Sequence, residues 1–510
     1  MLNFERLKSI TIPKKWQIAY SEEIHKLDLL YQEEERLYYE MYTTGKQSSR
    51  VDEISQVKHS LMTDDELYQT LVSWRANFID NHVWKRRLDV FLNRMQQESL
   101  DSHPDIVALQ QQLQSRLLES QITVRGKEYN LGTVHSTIMD HSDRELRRLL
   151  FLESKKIGLH AEDLFRSLIK KRNQLAQDKG YQNYYDFICK LKDIHLDSYI
   201  KEMNELINQS TQTSNYWDKT IKEKFNWEKI HHYDQYFSTF HFHSINNDIF
   251  QTTRLEEILD DIVQGLGITI KDLPVTIEQL EIPYGGFCVN INPNDLRLVV
   301  NKRKSYSLFL SGIHEMGHVV DGHYSSYRYP ELYRFHSSIA AEAIAELFQT
   351  IMTDQDFLKN NFHIEDEVYT QIKDIHELTD LKLVKINYFY SLVEYNLYND
   401  PEKSFQELAD ECYVQVYGYE AETFHPASEM FYIENPVFFQ DYNFALAIRE
   451  MVRDKFNIEN LYREENVFQE LIQTIIEPNQ LYSWRERVQL LCGEPHTFKY
   501  LAKNIQKRNI

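Results

Sequence analysis

The chain has 510 residues, a formal net charge of −21 at pH 7 and an apolar fraction of 42%. That charge argues against nucleic acid as a partner, because phosphate backbones repel an acidic surface, and it disfavours anionic membrane surfaces. Only 14 glycines and 11 prolines are present, whereas sheets and their connecting turns need more of both. The composition therefore predicts a soluble, mainly α-helical protein with a sizeable core.

The cysteine content and the N-terminus indicate a compartment. Cys189, Cys288, Cys412 and Cys492 are far apart and form no C-x-x-C pair, which is typical of reduced thiols. The first residues lack the apolar core of a signal peptide, and no stretch approaches the length of a membrane span. We therefore expect a cytoplasmic protein without membrane contact; the sequence gives no signal for its oligomeric state.

The N-terminal half is predicted to be mostly helical scaffold. Helix-period sequence with few breakers runs through residues 16–120. Short alternation in residues 121–132 predicts a small hairpin. Residues 161–179 predict an amphipathic helix that stops at Gly180. Helical sequence continues to about residue 265.

A small sheet is predicted next. Three short, β-branched runs, at residues 268–270, 286–291 and 296–300, predict its strands. One interpretation is functional, because the edge of such a sheet can pair with an extended peptide. The alternative is a plain structural hairpin.

The stretch from Ser311 to Val320 contains an H-E-x-x-H pattern formed by His314, Glu315 and His318. Residues four apart lie on one face of a helix, so the two imidazoles can bind one metal ion. Glu315 is rotated by about 100° from His314 and can act on a water carried by the metal without ligating it. The buried face of this helix is predicted from apolar three- and four-residue steps, at Leu308, Phe309, Gly312, Ile313, Met316, Val319 and Val320.

A second predicted helix, residues 339–348, carries Glu342 and Glu346 one turn apart on an alanine-rich, apolar surface. Buried carboxylates are costly unless they meet a cation, and a zinc ion on the preceding helix would supply one. The alternative is a stripe of solvent-exposed glutamates. Together the two helices predict a zinc hydrolase.

Residues 418–442 are aromatic and loop-like, and they include His425, Tyr432 and Tyr442. A tyrosine hydroxyl or a histidine N–H near the reacting carbonyl can stabilise the oxyanion that forms there. Packing in the core is the alternative for each of these side chains. The tail from residue 443 is predicted to be helical and structural.

These motifs resemble the zinc metallopeptidases of the oligoendopeptidase F and thimet oligopeptidase type. The related angiotensin-converting-enzyme-like dipeptidyl carboxypeptidases share the interval of 24 positions between His318 and Glu342. Residues 284–288 and 296–300 resemble the edge strand that precedes the family's metal helix. The residues that carry the resemblance most closely are His314, Glu315, His318, Pro330, Tyr333, Glu342 and Glu346.

The resemblance implies a mainly α-helical, two-lobed clamshell around a deep channel, with a small β-sheet next to the metal helix. Within one metallopeptidase unit of residues 1–510, residues 1–265 would be mostly scaffold and channel wall. Residues 266–450 would be the catalytic region and residues 451–510 a C-terminal helical part. Such a channel admits oligopeptides and excludes folded proteins, so the resemblance implies oligopeptide substrates and one Zn²⁺ ion.

By position, the resemblance assigns His314, His318 and Glu342 as zinc ligands and Glu315 as the general base. Glu346 would be an acid that orients a ligand histidine.

The chain departs from the family pattern in two places. Asp321 stands where a further histidine often follows the second ligand. Downstream, His425 is followed by Tyr432, but the next matching position holds Asn435, and Tyr442 is the other candidate. We therefore predict that the oxyanion is stabilised by His425 with Tyr432 or Tyr442.

The sequence thus predicts a zinc-dependent metallopeptidase that hydrolyses oligopeptides through a metal-activated water, with Glu315 as the base. One alternative is a zinc carboxypeptidase or dipeptidyl carboxypeptidase, which would need a cation to capture the substrate C-terminus. Another is a catalytically weak peptide-binding homologue that keeps the fold.

Overall fold

The structure, a computed structural model, describes residues 2–46, 48–282, 285–302 and 305–506. Within these ranges the chain forms 23 α-helices and five short strands, so the predicted mainly α-helical fold with small sheets is confirmed. The helices of the first half are α1 (Pro13–Thr44), α2 (Ser49–Met62), α3 (Asp65–Asn77), α4 (His82–Asp101), α5 (Pro104–Glu119), α6 (Leu131–Asp140), α7 (Arg144–Asp178), α8 (Tyr184–Leu191), α9 (Leu196–Gln209), α10 (Thr211–Phe225), α11 (Gln235–Phe240) and α12 (Leu255–Gly265). Those of the second half are α13 (Tyr306–Tyr324), α14 (Pro330–Arg334), α15 (Ser338–Gln349), α16 (Gln355–Phe362), α17 (Asp366–Asn399), α18 (Phe405–Tyr417), α19 (Met430–Glu434), α20 (Phe439–Phe456), α21 (Glu465–Leu471), α22 (Trp484–Cys492) and α23 (Lys499–Ile505). The strands are β1 (Gln121–Val124), β2 (Lys127–Asn130), β3 (Val275–Leu280), β4 (Gly286–Asn292) and β5 (Asp295–Asn301).

Two elements of the N-terminal half were predicted with different success. The hairpin at residues 121–132 is confirmed, because β1 pairs antiparallel with β2. The helix predicted at residues 161–179 is the second half of α7, a single helix that begins at Arg144 and ends at Asp178. The Asp143 side chain accepts a hydrogen bond from the backbone N–H of Leu146 and caps the helix there. Its buried stripe also starts at Leu146, well before the predicted start.

The predicted sheet is present, but one of its strands lies elsewhere. Strands β4 and β5 match the predicted runs, whereas residues Ile270–Asp272 form a 3₁₀ turn instead of a strand. The third strand is β3, which pairs parallel with β5 in the order β3-β5-β4. Because its partner lies about 20 residues further along the chain and its side chains are mostly half-buried, β3 has no strong local pattern. Tyr284, part of the run compared with the family's edge strand, lies outside the described residues.

The helices and strands group into two compact units. The first contains residues 1–99, 246–365 and 448–497, and the second contains residues 100–245, 366–447 and 498–510. Each unit is therefore assembled from three separate stretches of chain. The division predicted at about residues 265 and 450 follows chain order and stays a prediction.

All four cysteine thiols are free, and Cys189 and Cys412 are buried. Burial raises the pKa of Cys412 and of Cys492 to about 12, so both thiols are protonated at neutral pH. Among the described helices, none combines the length and the apolar character that a bilayer crossing requires.

Lys385 on α17 is a buried cation in the second unit, and its removal is expected to stabilise the protein. Its ammonium donates a hydrogen bond to Ser214 Oγ at 2.9 Å. Burial, with a smaller contribution from nearby Lys382, lowers its pKa from 10.5 to about 8. The positive charge on Lys385 therefore costs free energy in the folded chain that it does not cost in the unfolded chain. This loss of folding free energy is fully present below pH 8 and disappears as the pH rises towards 10.5.

We expect Lys385→Met to raise the free energy of unfolding at pH 7 by about 2 kcal/mol. The lowered pKa corresponds to about 3 kcal/mol, and the lost hydrogen bond offsets about 1 kcal/mol of it. Urea denaturation at pH 7, 8, 9 and 10 should show the difference from wild type shrinking as the pH rises. Lys373→Met, at an exposed position on the same helix, is the control. A variant less stable than wild type at pH 7 would contradict the expectation.

Candidate metal centre

The helix α13 carries the H-E-x-x-H motif. Its start is capped by Ser305, whose Oγ accepts a hydrogen bond from the backbone N–H of Leu308 at 3.2 Å. The predicted buried face is confirmed, because all seven of its residues are buried. Helix α13 packs against β4, β5 and α15, and His314, Glu315 and His318 are half-buried.

The helix α15 approaches α13 unusually closely at Gly317. A Cβ atom on Gly317 would lie 2.6 Å from Ala345 Cα and 3.1 Å from Ala345 N. These are backbone atoms, which cannot move aside as the tip of a side chain can. Glycine at position 317 and alanine at position 345 therefore allow the two helices to pack with their backbones almost in contact.

This close packing brings three side chains together as predicted. His314 Nε2 lies 3.5 Å from Glu342 Oε2, and His318 Nε2 lies 4.0 Å from Glu342 Oε1. One ligand atom from each residue lies within 4.8 Å of the other two. The two imidazole rings are 5.1 Å apart and inclined at 81°, so both face the same space beside the carboxylate.

The cluster fits a zinc ion. Tetrahedral coordination at about 2.1 Å places ligand atoms about 3.4 Å apart, close to the 3.5 Å between His314 Nε2 and Glu342 Oε2. Glu342 Oε2 is buried and has no hydrogen-bond partner in the described part of the chain. A buried carboxylate oxygen without a partner is costly, and a cation between it and the two histidines would remove that cost.

The charges of the cluster are strongly coupled. Burial by itself would lower the pKa of His314. The hydrogen bond and negative charge of Glu342 have the larger effect and raise that pKa to about 9. Burial alone would raise the pKa of Glu342, but the two histidines lower it below its usual value. Burial lowers the pKa of His318 to about 4. At pH 7 Glu342 is therefore a carboxylate and His318 a neutral imidazole, the forms that bind metal, whereas His314 is protonated and must release its proton when it binds a metal ion.

Glu315 lies beside the cluster but is not part of it. Burial raises the pKa of Glu315 to about 7, with His314 opposing the shift and Glu342 adding to it. Strand β4 makes room for this side chain at Gly286, where a Cβ atom would lie 3.1 Å from Glu315 Cγ and 2.9 Å from Val299 O. A carboxyl group with a pKa near neutrality can both accept and release a proton.

Two residues without a sequence signal anchor β4, which Asn290 joins to α13 and Arg334 joins to α14 and α1. Asn290 Nδ2 donates a hydrogen bond to His318 O at 3.2 Å. Arg334 donates to the backbone oxygens of Asn290 and Ile291 and, from Nε, to Asp28 Oδ1 at 2.5 Å. The Arg334 and Asp28 side chains are only 7% and 2% exposed. Strand β4 is thus held to α13 by Asn290 and to α14 and α1 by the buried Arg334–Asp28 pair, through contacts between residues far apart in sequence.

Glu346 and Asp321 lie near the cluster without joining it. Glu346 Oε2 pairs with Arg449 Nη1 at 3.1 Å, and its negative charge contributes to the raised pKa of His314. The predicted orientation of a ligand histidine by Glu346 stays a prediction. Asp321 is buried, which raises its pKa, although His336 and Arg487 oppose the shift.

The three predicted oxyanion donors belong to the second unit. His425 Nε2 lies 3.1 Å from Glu162 Oε2, and its Nδ1 accepts a hydrogen bond from Ala427 N. The Tyr432 hydroxyl donates to Tyr390 O at 2.8 Å. Tyr442 is half-buried on α20. Their role in stabilising an oxyanion stays a prediction.

Comparison with known proteins adds one finding about the fold. No family model matches the chain, and none of the curated protein sequences matches it. A solved structure described as "Pz peptidase A with inhibitor 2" is similar with a TM-score of 0.71 and 12% sequence identity. The match covers 99% of this chain and 92% of that one. The chain therefore shares the fold of that peptidase over nearly its whole length.

Proposed function

We propose that the protein is a zinc-dependent peptidase that hydrolyses peptide bonds in oligopeptides. The observation that carries the proposal is the cluster of His314, His318 and Glu342 with Glu315 beside it. Two imidazoles, one carboxylate and an adjacent free carboxyl group are the residue set of a catalytic zinc site. The fold shared with a structure described as a peptidase with an inhibitor supports the same conclusion.

In this proposal His314, His318 and Glu342 hold the ion. When bound, zinc supplies Lewis acidity, which polarises a carbonyl group and lowers the pKa of water towards about 7. Glu315 removes a proton from the attacking water and then delivers that proton to the leaving amine.

His425 with Tyr432 or Tyr442 remains our proposal for stabilising the oxyanion. A single donor of this kind typically contributes on the order of 10²-fold to kcat. His425 and Tyr432 would first have to exchange the hydrogen bonds that they make to Glu162 and to Tyr390.

Metal analysis combined with a cleavage assay tests the proposal. We expect the purified protein to contain about one zinc ion per chain and to cleave an internally quenched oligopeptide. Removal of the metal with a chelator should abolish cleavage, and added zinc should restore it. Full activity of the metal-free protein would refute the proposal. Stoichiometric zinc with peptide binding but no cleavage would favour the peptide-binding alternative.

The mode of cleavage is tested by product masses. An endopeptidase should cleave a peptide with a blocked C-terminus as fast as the unblocked peptide. A carboxypeptidase or dipeptidyl carboxypeptidase should instead release C-terminal residues from the unblocked peptide alone, because it must bind the free carboxylate.

A further inference from the structure

The second unit contains a cavity of about 200 Å³. Its walls come from α6, α11, α17 and α18 and from the segment that leads into α19. Five aromatic rings form much of the wall, those of Tyr236, Phe389, Tyr390, Phe424 and Tyr432. Such a volume holds a compact organic group of several heavy atoms, which is more than the few waters that fill ordinary internal gaps.

One residue gives this aromatic cavity its charge. Of the residues that line it, Glu429 is the acidic one, and none is lysine or arginine. The Glu429 carboxylate accepts a hydrogen bond from the backbone N–H of Phe431 at 3.1 Å. Burial raises its pKa to about 7, and that single hydrogen bond only partly opposes the shift. With a pKa of about 7, the Glu429 carboxyl is partly ionised at neutral pH, and the cavity wall supplies no cation to pair with it.

The two histidines of the wall do not neutralise Glu429. Burial lowers the pKa of His135. Burial also lowers the pKa of His425, although Glu162 opposes the shift. Both imidazoles are therefore neutral at pH 7, and His425 is already bonded to Glu162.

The cavity can be reached from solvent. Glu429, Tyr236 and Tyr390 are half-buried and not fully enclosed. A ligand can therefore meet the carboxylate and the ring faces without unfolding the unit.

We infer that this cavity binds a small organic cation, an ammonium or guanidinium group on a short apolar stem, with its charge beside Glu429 and its stem against the aromatic rings. Ring faces attract cations, and a carboxylate forms its strongest hydrogen bonds with charged donors. An anion would meet the carboxylate with the same sign of charge, and a neutral apolar ligand would leave that carboxylate without an opposite charge to pair with. The cavity shares His425 and Tyr432 with the proposed oxyanion site, but the inference rests on Glu429 and the aromatic rings and does not depend on the metal centre.

Calorimetric titration of the full-length protein with two matched ligands tests the inference. Phenethylammonium and phenethyl alcohol share a ring and a stem and differ in charge. We expect the ammonium compound to bind at least tenfold more tightly. Equal affinities, or no binding of the ammonium compound, would overturn the inference without bearing on peptidase activity.

The variant Glu429→Gln tests whether the ammonium compound binds beside Glu429. Glutamine keeps an oxygen acceptor for the N–H of Phe431 and removes the charge, so we expect the tenfold preference to fall to within about twofold. Glu420→Gln, at an exposed position in the preceding loop, should keep the full preference. A preference that survives in Glu429→Gln, with the fold intact by circular dichroism, would overturn the inference.

Two blocked amino acids identify the source of the cation. If peptide side chains supply it, acetyl-lysine-amide should bind at least tenfold more tightly than acetyl-norleucine-amide. If phenethylammonium binds but acetyl-lysine-amide does not, the natural ligand is a small amine.

Discussion

Replacing Glu315 by glutamine is expected to lower kcat for oligopeptide hydrolysis by about 10³-fold or more. Glutamine has nearly the same shape but cannot accept a proton from water. The zinc content should stay at one ion per chain, because Glu315 lies beside the cluster of His314, His318 and Glu342 and is not part of it. The measurements are kcat with a quenched peptide, zinc content, and the Kd of the same peptide.

The control for this variant is Glu256→Gln, which removes an exposed carboxylate from α12 in the same unit. It should leave kcat within about twofold of wild type, because it lies on the surface. Turnover of Glu315→Gln at the wild-type rate would show that Glu315 is not the base. Loss of zinc from the variant would instead show that Glu315 contributes to metal binding.

The second large effect is expected from Gly317→Ala. Alanine usually stabilises a helix by about 1 kcal/mol over glycine, but here the new Cβ would lie 2.6 Å from Ala345 Cα. An ordinary carbon–carbon contact is about 3.5 Å or longer, so α13 and α15 must separate by about 1 Å. Zinc–ligand distances tolerate only about 0.2 Å. We therefore expect zinc affinity to fall by about 100-fold and the free energy of unfolding to fall by about 2 kcal/mol.

Gly312→Ala is the matched control on the same helix. There the nearest atom to a new Cβ is Leu255 Cδ1 at 3.0 Å, the flexible tip of a side chain that can move. Zinc affinity, measured by competition with a chelator of known affinity, should stay within about threefold of wild type. Equal zinc affinity in wild type and Gly317→Ala would contradict our account of the close packing at this position.

Helix α13 was the element that the sequence predicted most completely. His314 and His318 are four residues apart, and apolar residues recur around them at three- and four-residue steps. Both are local features, and the helical period determines from them which side chains lie on the same face. The same local argument identified Glu342 and Glu346 as a pair but could not separate them. Among the described residues, Glu342 forms the cluster with the two histidines, while Glu346 pairs with Arg449.

The residues that sequence analysis missed make contacts over long distances in the chain. Arg334 bonds to strand residues 43 and 44 positions away, and Asn290 bonds to His318 across 28 positions. No periodicity within one segment encodes such contacts. Strand β3 was missed for the same reason, because its pairing with β5 is non-local.

The assembly of the first unit from three stretches of chain has a consequence for its biosynthesis. Both ligand-bearing helices leave the ribosome before residues 448–497, the final stretch of that unit, have been made. Arg449 is translated 103 residues after Glu346, which at about 5–20 residues per second is a delay of roughly 5–20 s. During that interval the nascent helices lack the arginine that pairs with this acid. We therefore expect the first unit to complete its folding late, after the intervening stretch of the second unit has already emerged.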